Sequence, residues 1–206
     1  MNLDDLKRFK ELDTLDMLGE IDGLPDQLQT AWQLGQTLPL PEVGNLTSIV
    51  ISGMGGSAIG ADLVAAAVAS TCPVPVTVHR DYGLPAFARG KGTLVIASSH
   101  SGNTEETLDS FEAARKQDCS MVAIATGGEL ARLAAEGGVP VWTFEHAGQP
   151  RAAVGFSFGL LLALFARLKL IPDPARELMG AVAADCWRQH RNNDLVPSWR
   201  CHKWHI

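Results

Sequence analysis

Five short apolar runs, Ser48–Ile51, Val74–Val78, Thr93–Ala97, Met121–Ala125 and Val139–Phe144, constrain this chain most, because helix-like stretches alternate with them. The runs read as buried strands, and the helical stretches fall at Ala58–Ala69, Thr104–Gln117, Glu129–Ala135 and Ala153–Leu168. The link Asp81–Gly92 between the second and third runs reads as loop. Alternation of this kind predicts an α/β domain, a parallel sheet wrapped by helices. At 206 residues the chain fits one globular domain, or one plus a small appendage.

The first 40 residues differ in pattern. Leu3, Leu6, Phe9 and Leu12 recur at helical spacing, and a second helix starts near Pro25 with Leu28, Ala31, Trp32 and Leu34 as its apolar stripe. Pro39 and Pro41 end it. Three segments follow: a helical one over 1–40 that packs on the domain or on a partner subunit, the main domain over 41–190, and a disordered tail over 191–206.

Charge and cysteine content narrow the function classes. A net charge of −6 argues against nucleic acid or a membrane surface as partner, since both require a basic face. An anionic small ligand must therefore be caught locally, by backbone amides, hydroxyls and an arginine. Cys72, Cys119, Cys186 and Cys201 are widely spaced with no metal-binding pattern, so reduced thiols in a cytoplasm are expected, with no metal and no cofactor. The acidic start Met1-Asn2-Leu3-Asp4-Asp5 does not read as a signal peptide. The uncharged run 152–166 is shorter than the ~20 residues of a membrane span and reads as a buried helix.

In an open parallel sheet, ligands lie beyond the carboxyl ends of the strands, and three turns fall at such ends. The first, Gly53-Met54-Gly55-Gly56-Ser57-Ala58-Ile59-Gly60, lets the backbone approach a ligand and adds the Ser57 hydroxyl at a helix start. It lacks the Lys-Ser/Thr of a nucleotide P-loop. It does match Gly-x-Gly-x-x-Ala, a weak dinucleotide signal with Asp81 as a ribose ligand; tight helix-on-strand packing is the plain alternative. The second, Ser98-Ser99-His100-Ser101-Gly102-Asn103-Thr104-Glu105-Glu106-Thr107, clusters the hydroxyls of Ser99, Ser101 and Thr104 where the next helix leaves N–H groups unpaired. Asn103 is expected to cap that helix, with Glu106 completing a capping box. A capped turn alone needs one hydroxyl or amide, so the cluster points to phosphate, and the serine loop has no task in a dinucleotide site. The third, Gly148-Gln149-Pro150-Arg151, sets a permanently charged fork on a restrained backbone. Glu145 and His146 just before it read as a solvated turn.

Together, Gly53-Met54-Gly55-Gly56-Ser57, Ser99-His100-Ser101-Gly102-Asn103-Thr104 and Gln149-Pro150-Arg151 resemble, in order and spacing, the first sugar-isomerase (SIS) domain of the bifunctional phosphoglucose/phosphomannose isomerases. Asp16-Met17-Leu18 and Leu24-Pro25-Asp26-Gln27 also resemble that family, and the likeness covers roughly residues 12 to 185. It implies a three-layer α/β/α fold with five parallel strands in flavodoxin-like order. It implies that Gly55, Gly56, Ser57, Ser99, Ser101 and Thr104 hold a sugar phosphate, and that Arg151 steadies the enediolate formed as a proton moves between C1 and C2. The substrates implied are fructose 6-phosphate, glucose 6-phosphate and mannose 6-phosphate. Family members continue into a second SIS domain that carries a base Glu, a ring-opening His and a Lys; against that pattern an ending at Ile206 reads as the first half of such an enzyme, truncated or frameshifted. Left without that domain, the apolar helix 153–168 is expected to expose a patch and drive homodimer formation. The competing reading is a non-catalytic phosphosugar-binding SIS module, and a weaker one is a dinucleotide-binding domain.

Overall fold

A computed structural model describes Arg8 and residues 11–192 of the chain. The helix expected from Leu3, Leu6 and Phe9, and residues 193–206 of the expected tail, lie outside the described residues. The strands are β1 Ser48–Ser52, β2 Val76–His79, β3 Thr93–Ser99, β4 Ser120–Ala125 and β5 Val141–Thr143. They form one parallel sheet in the order β2-β1-β3-β4-β5. This is the flavodoxin-like order, and the order of a dinucleotide-binding sheet differs from it.

Side-chain alternation along each strand divides the core in two. On one face Ile49, Ile51, Leu94, Ile96, Val122, Ile124 and Trp142 pack with helices α2 (Leu24–Gly35), α3 (Gly55–Val68) and α6 (Val154–Arg167). On the other, Val50, Val95, Ala97, Met121, Ala123 and Ala125 meet Phe111 and Ala114 of α4 (Glu105–Lys116), and Leu130 and Ala134 of α5 (Gly128–Glu136). The result is a helix–sheet–helix sandwich. A short helix α1 (Met17–Asp22) precedes α2, and α7 (Ala175–Asn192) closes the described chain.

Helix α7 went unread in the sequence, although Leu178 and Val182 at helical spacing supply its buried side. Asp173 Oδ1 accepts from the Ala175 amide (2.9 Å) at its start. Helix α3 begins three residues earlier than expected, since Met54 is its extended N-cap and Gly55 takes φ +50°. Gly55, Gly56 and Ser57 thus form the first helical turn; the Ser57 amide donates to Met54 O (3.1 Å), which leaves the Gly55 and Gly56 amides unpaired among the described residues.

The apolar helix does not expose its patch. Leu160, Leu161, Leu164 and Phe165 of α6 are fully buried, because α2 lies across the helix and α3 flanks it. Small residues permit that crossing. A Cβ on Gly159 would sit 2.7 Å from the Ala31 Cβ, and one on Gly35 would sit 2.5 Å from the Ala163 Cβ. Arg167 and Trp142 then fasten the exit of α2: the Arg167 guanidinium donates to the carbonyls of Gly35 (2.7 Å) and Leu38, and the Trp142 indole donates to Pro39 O (2.7 Å). The exposed large apolar side chains of α3 are Ile59 and Leu63, one turn apart.

Gly159→Val places branched carbons against Ala31 and the Leu28 backbone, so it is expected to cost about 1–3 kcal/mol of stability or more. Urea unfolding followed by circular dichroism checks this; an unchanged midpoint would contradict the crossing.

Candidate active site

The glycine turn and the serine loop leave β1 and β3, which are adjacent in the sheet, while chain direction takes α3 and α4 to opposite faces. That divergence opens a crevice at the carboxyl edge of the sheet. Gly53 crosses close beneath it, since a Cβ there would meet Ser98 O at 2.7 Å.

The three turns are in contact. A Cβ on Gly56 would lie 2.5 Å from Pro150 O and 3.3 Å from the Arg151 Cα, so the bare backbone of α3 seats the 3-10 turn Pro150–Ala152. The His100 amide donates to Ser57 Oγ (3.2 Å), joining α3 to the serine loop. Arg151 is exposed, and its Nη1 donates to Gln149 Oε1 (3.2 Å), which aims the fork without neutralising it.

Within the serine loop the hydroxyls divide their work. Ser99 is buried; its Oγ accepts from the Gly102 amide (3.1 Å) and pairs with Thr104 Oγ1 (2.8 Å), shaping the turn. Ser101 is exposed and accepts from the Asn103 amide (3.2 Å), so its proton is free for a ligand. Thr104, not Asn103, is the N-cap of α4, and no side chain caps that end. Among the described residues, nothing accepts from the amides of Thr104, Glu105, Glu106 or Thr107. An uncapped helix start beside hydroxyls is an anion-binding surface.

The expected capping box is therefore absent. Gly102, at φ +70°, brings its Cα so near the next loop that an added Cβ would lie 1.9 Å from Gly127 O. Asn103 is carried with it, and its Oδ1 accepts from the Glu129 amide (3.0 Å), capping α5 instead. Glu106 makes no bond back to the loop among the described residues, and Tyr82 O–H reaches Glu105 Oε2 (3.2 Å), an acceptor that raises the Tyr82 pKa. Thr107 keeps a fully buried hydroxyl without a partner among the described residues.

The turn before Arg151 is only half solvated. Glu145 is exposed as expected, but the His146 side chain is 8% exposed and contacts both His100 and Glu20 of α1. Sequence reading undervalued it, because its partners stand 46 and 126 residues away. Burial, and then His146 beside it, hold the His100 pKa below its ordinary 6.5, while Glu20 acts the other way. Asp81 lies in the loop after β2, where its Oδ1 accepts from the Tyr82 amide (2.8 Å), a turn-forming bond. Among the described residues no group of three His, Cys, Asp or Glu side chains could hold a metal ion. No described helix is long and apolar enough to cross a membrane.

Comparison with known proteins matches residues 45–137 to the SIS domain. The chain resembles that domain over just under half of its length. It is homologous over part of their length to bifunctional phosphoglucose/phosphomannose isomerases. The Caldicellulosiruptor bescii protein is 45% identical over 156 residues, 75% of this chain and 46% of that protein. The Thermoplasma acidophilum protein is 39% identical over 126 residues, 61% of this chain and 38% of that protein. The chain thus spans less than half the length of these relatives. The fold is shared with the C-terminal domain of glucosamine-fructose-6-phosphate aminotransferase from Francisella tularensis, at TM-score 0.57 and 16% identity over 89% of this chain and 58% of that one. It is shared also with tagatose-6-phosphate ketose/aldose isomerase from Escherichia coli, at TM-score 0.53 and 20% identity over 89% and 51%.

The lowered His100 pKa ties the stability of this domain to pH. Just below pH 6.5 the unfolded chain binds a proton that the native ring refuses, so this contribution is complete above that value and is lost as pH falls through it. The urea midpoint is expected to drop between about pH 7 and about pH 5, with His100→Asn flattening part of that drop. An identical pH profile in the variant would contradict the assignment. Gly102→Ala, forced to a positive φ against Gly127 O, is expected to lose about 1–3 kcal/mol or more, read by thermal unfolding.

Proposed function

We propose that this chain is the phosphate-binding half of a sugar-phosphate aldose–ketose isomerase that interconverts glucose 6-phosphate or mannose 6-phosphate with fructose 6-phosphate. The observation that carries this reading is the junction of three turns at Gly56, Ser57 and Pro150, in which Arg151 lies against the start of α3 and that start is bonded to the serine loop. In this reading the amides after Thr104, together with Gly55, Gly56, Ser57, Ser99, Ser101 and Thr104, surround the phosphate. Ser101 and Thr104 offer protons directly, while Ser99, held by Gly102 and Thr104, keeps the loop in shape.

Arg151 is the proposed catalytic residue. In isomerisation a base, which the family resemblance places as a Glu in the second domain, takes the proton from C2 of the aldose to give a cis-enediolate and returns it to C1. Negative charge grows on the oxygen during that transfer. A fixed guanidinium beside it stabilises the transition state more than the ground state. Homology to the bifunctional isomerases supports the reaction class, and the sequence shared with them is what favours hexose 6-phosphates.

A homodimer in the cytoplasm belongs to the same proposal. The exposed Ile59 and Leu63 support self-association, and the unpaired thiols of Cys72 and Cys119 suit a reducing compartment. Sedimentation velocity is expected to give a dimer; a monomer at high concentration would count against it.

Calorimetric titration with fructose 6-phosphate is expected to give saturable heat that Ser101→Ala abolishes. No heat with the unaltered chain overturns the phosphosugar reading. A coupled assay for glucose 6-phosphate, run on the chain alone and joined to the second domain of a bifunctional relative, then separates the classes: turnover in either form, lowered about 10²-fold or more by Arg151→Lys, supports isomerase, whereas binding without turnover in both forms makes the chain a non-catalytic phosphosugar module.

A further inference from the structure

The proposed reaction uses neither histidine of the pair at the heart of the loop cluster. His100 Nε2 lies 2.9 Å from His146 Nδ1, and His146 Nε2 lies 2.9 Å from Glu20 Oε2. Phe144 and Phe156 frame the two rings with edge contacts, at 5.9 Å from His100 and 5.8 Å from His146. The backbone closes around the carboxylate as well: a Cβ on Gly148 would fall 1.8 Å from Glu20 Oε1. The backbone of His100 is fixed by three bonds, its amide to Ser57 Oγ and its carbonyl to the Thr126 amide (3.0 Å) and hydroxyl (2.7 Å).

Hydrogen-bond complementarity dictates where the protons sit when both rings are neutral. A carboxylate only accepts, so His146 carries its proton on Nε2 and presents a lone pair at Nδ1. His100 must then donate from Nε2, which leaves its own Nδ1 as an acceptor. No described residue makes a hydrogen bond to that Nδ1. Phosphate oxygens are acceptors too, so this lone pair repels them, whereas a sugar hydroxyl can donate to it. Burial keeps the His100 ring neutral near pH 7 by lowering its pKa.

We infer that Glu20 and His146 are positioning residues that hold His100 in the Nε2–H tautomer, so that its Nδ1 accepts a hydroxyl of the sugar while the surrounding donors hold the phosphate. This rests on the phosphosugar reading of the site. Specificity follows from it. The cluster then distinguishes a phosphorylated sugar from bare phosphate through one acceptor in a field of donors.

Long-range proton–nitrogen NMR of the full chain at about pH 8, above the ordinary imidazole range, reads the tautomer directly. A pyridine-type Nδ1 and pyrrole-type Nε2 on His100 are expected. Glu20→Ala should replace this pattern by a mixture, and so should Gly148→Ala, which alters none of the three residues but displaces the Glu20 carboxylate. A proton on His100 Nδ1 in the unaltered chain overturns the relay, as does a pattern that neither substitution alters. Calorimetry with two probes reads the consequence. Both variants should bind fructose 6-phosphate about tenfold more weakly, the worth of one hydrogen bond, with affinity for inorganic phosphate unchanged. Equal losses for both probes, or no loss, overturn the sugar contact. If the unaltered chain takes up neither probe, the phosphosugar reading and the sugar contact fall together, while the tautomer spectrum still decides the relay.

Discussion

The close approach of the Gly56 backbone to Pro150 O organises the whole carboxyl edge of the sheet. Any side chain at Gly56 would push the Pro150 turn away from α3 and take Arg151 with it. Bringing residues nearly a hundred positions apart into van der Waals contact also sets the spacing between the two loops, because Ser57 in the same helical turn binds the His100 amide. One missing Cβ therefore fixes three loops at once, without any charged or disulfide link. Backbone-to-backbone contact of this kind is stiff, and stiffness is what preorganised donors require.

Two kinds of polar chemistry meet in this small volume. Helix starts, hydroxyls and a guanidinium present positive character to the crevice, although the chain as a whole is acidic. The anion is served by local geometry, and net charge has little bearing on it. Behind this front lies a more secluded layer, the Glu20–His146–His100 line against Phe144 and Phe156, where the partners are fewer and each proton has one place to go.

Most of the sheet was legible in the sequence because a strand buried on both faces needs an unbroken apolar run, and 48–52, 93–99 and 120–125 supply it. The edge strands differ in bounds from their apolar runs, Val76–His79 against Val74–Val78 and Val141–Thr143 against Val139–Phe144, because Val74, Val139 and Phe144 are apolar for packing on the core, while Pro75 and Pro140 between run and ladder lend only their carbonyls. Turn chemistry identified all three loops, but not what each polar group does within them. Asn103 looked like the cap of its own helix and serves its neighbour's, because Gly102 bends the chain toward Gly127. His146 looked solvated because nothing near it in sequence could bury it. Helix α6 looked in need of an outside partner, and α2, far upstream, covers it. Local patterns report local partners, and each of these depends on contacts over tens of residues or more.

The way α6 is covered bears on the order in which the chain can acquire its structure. Helix α2 spans Leu24–Gly35, yet its resting place is made by Gly155, Gly159 and Ala163, and its exit is tied down by Arg167. During synthesis it leaves the ribosome early and must wait for more than a hundred further residues before that berth exists. At ~5–20 residues per second the interval lasts on the order of ten seconds, and Trp32, Leu34 and Ala31 stay uncovered for all of it. The arrival of α6, and of α7 after it, is then what gives the early helix α2 its place.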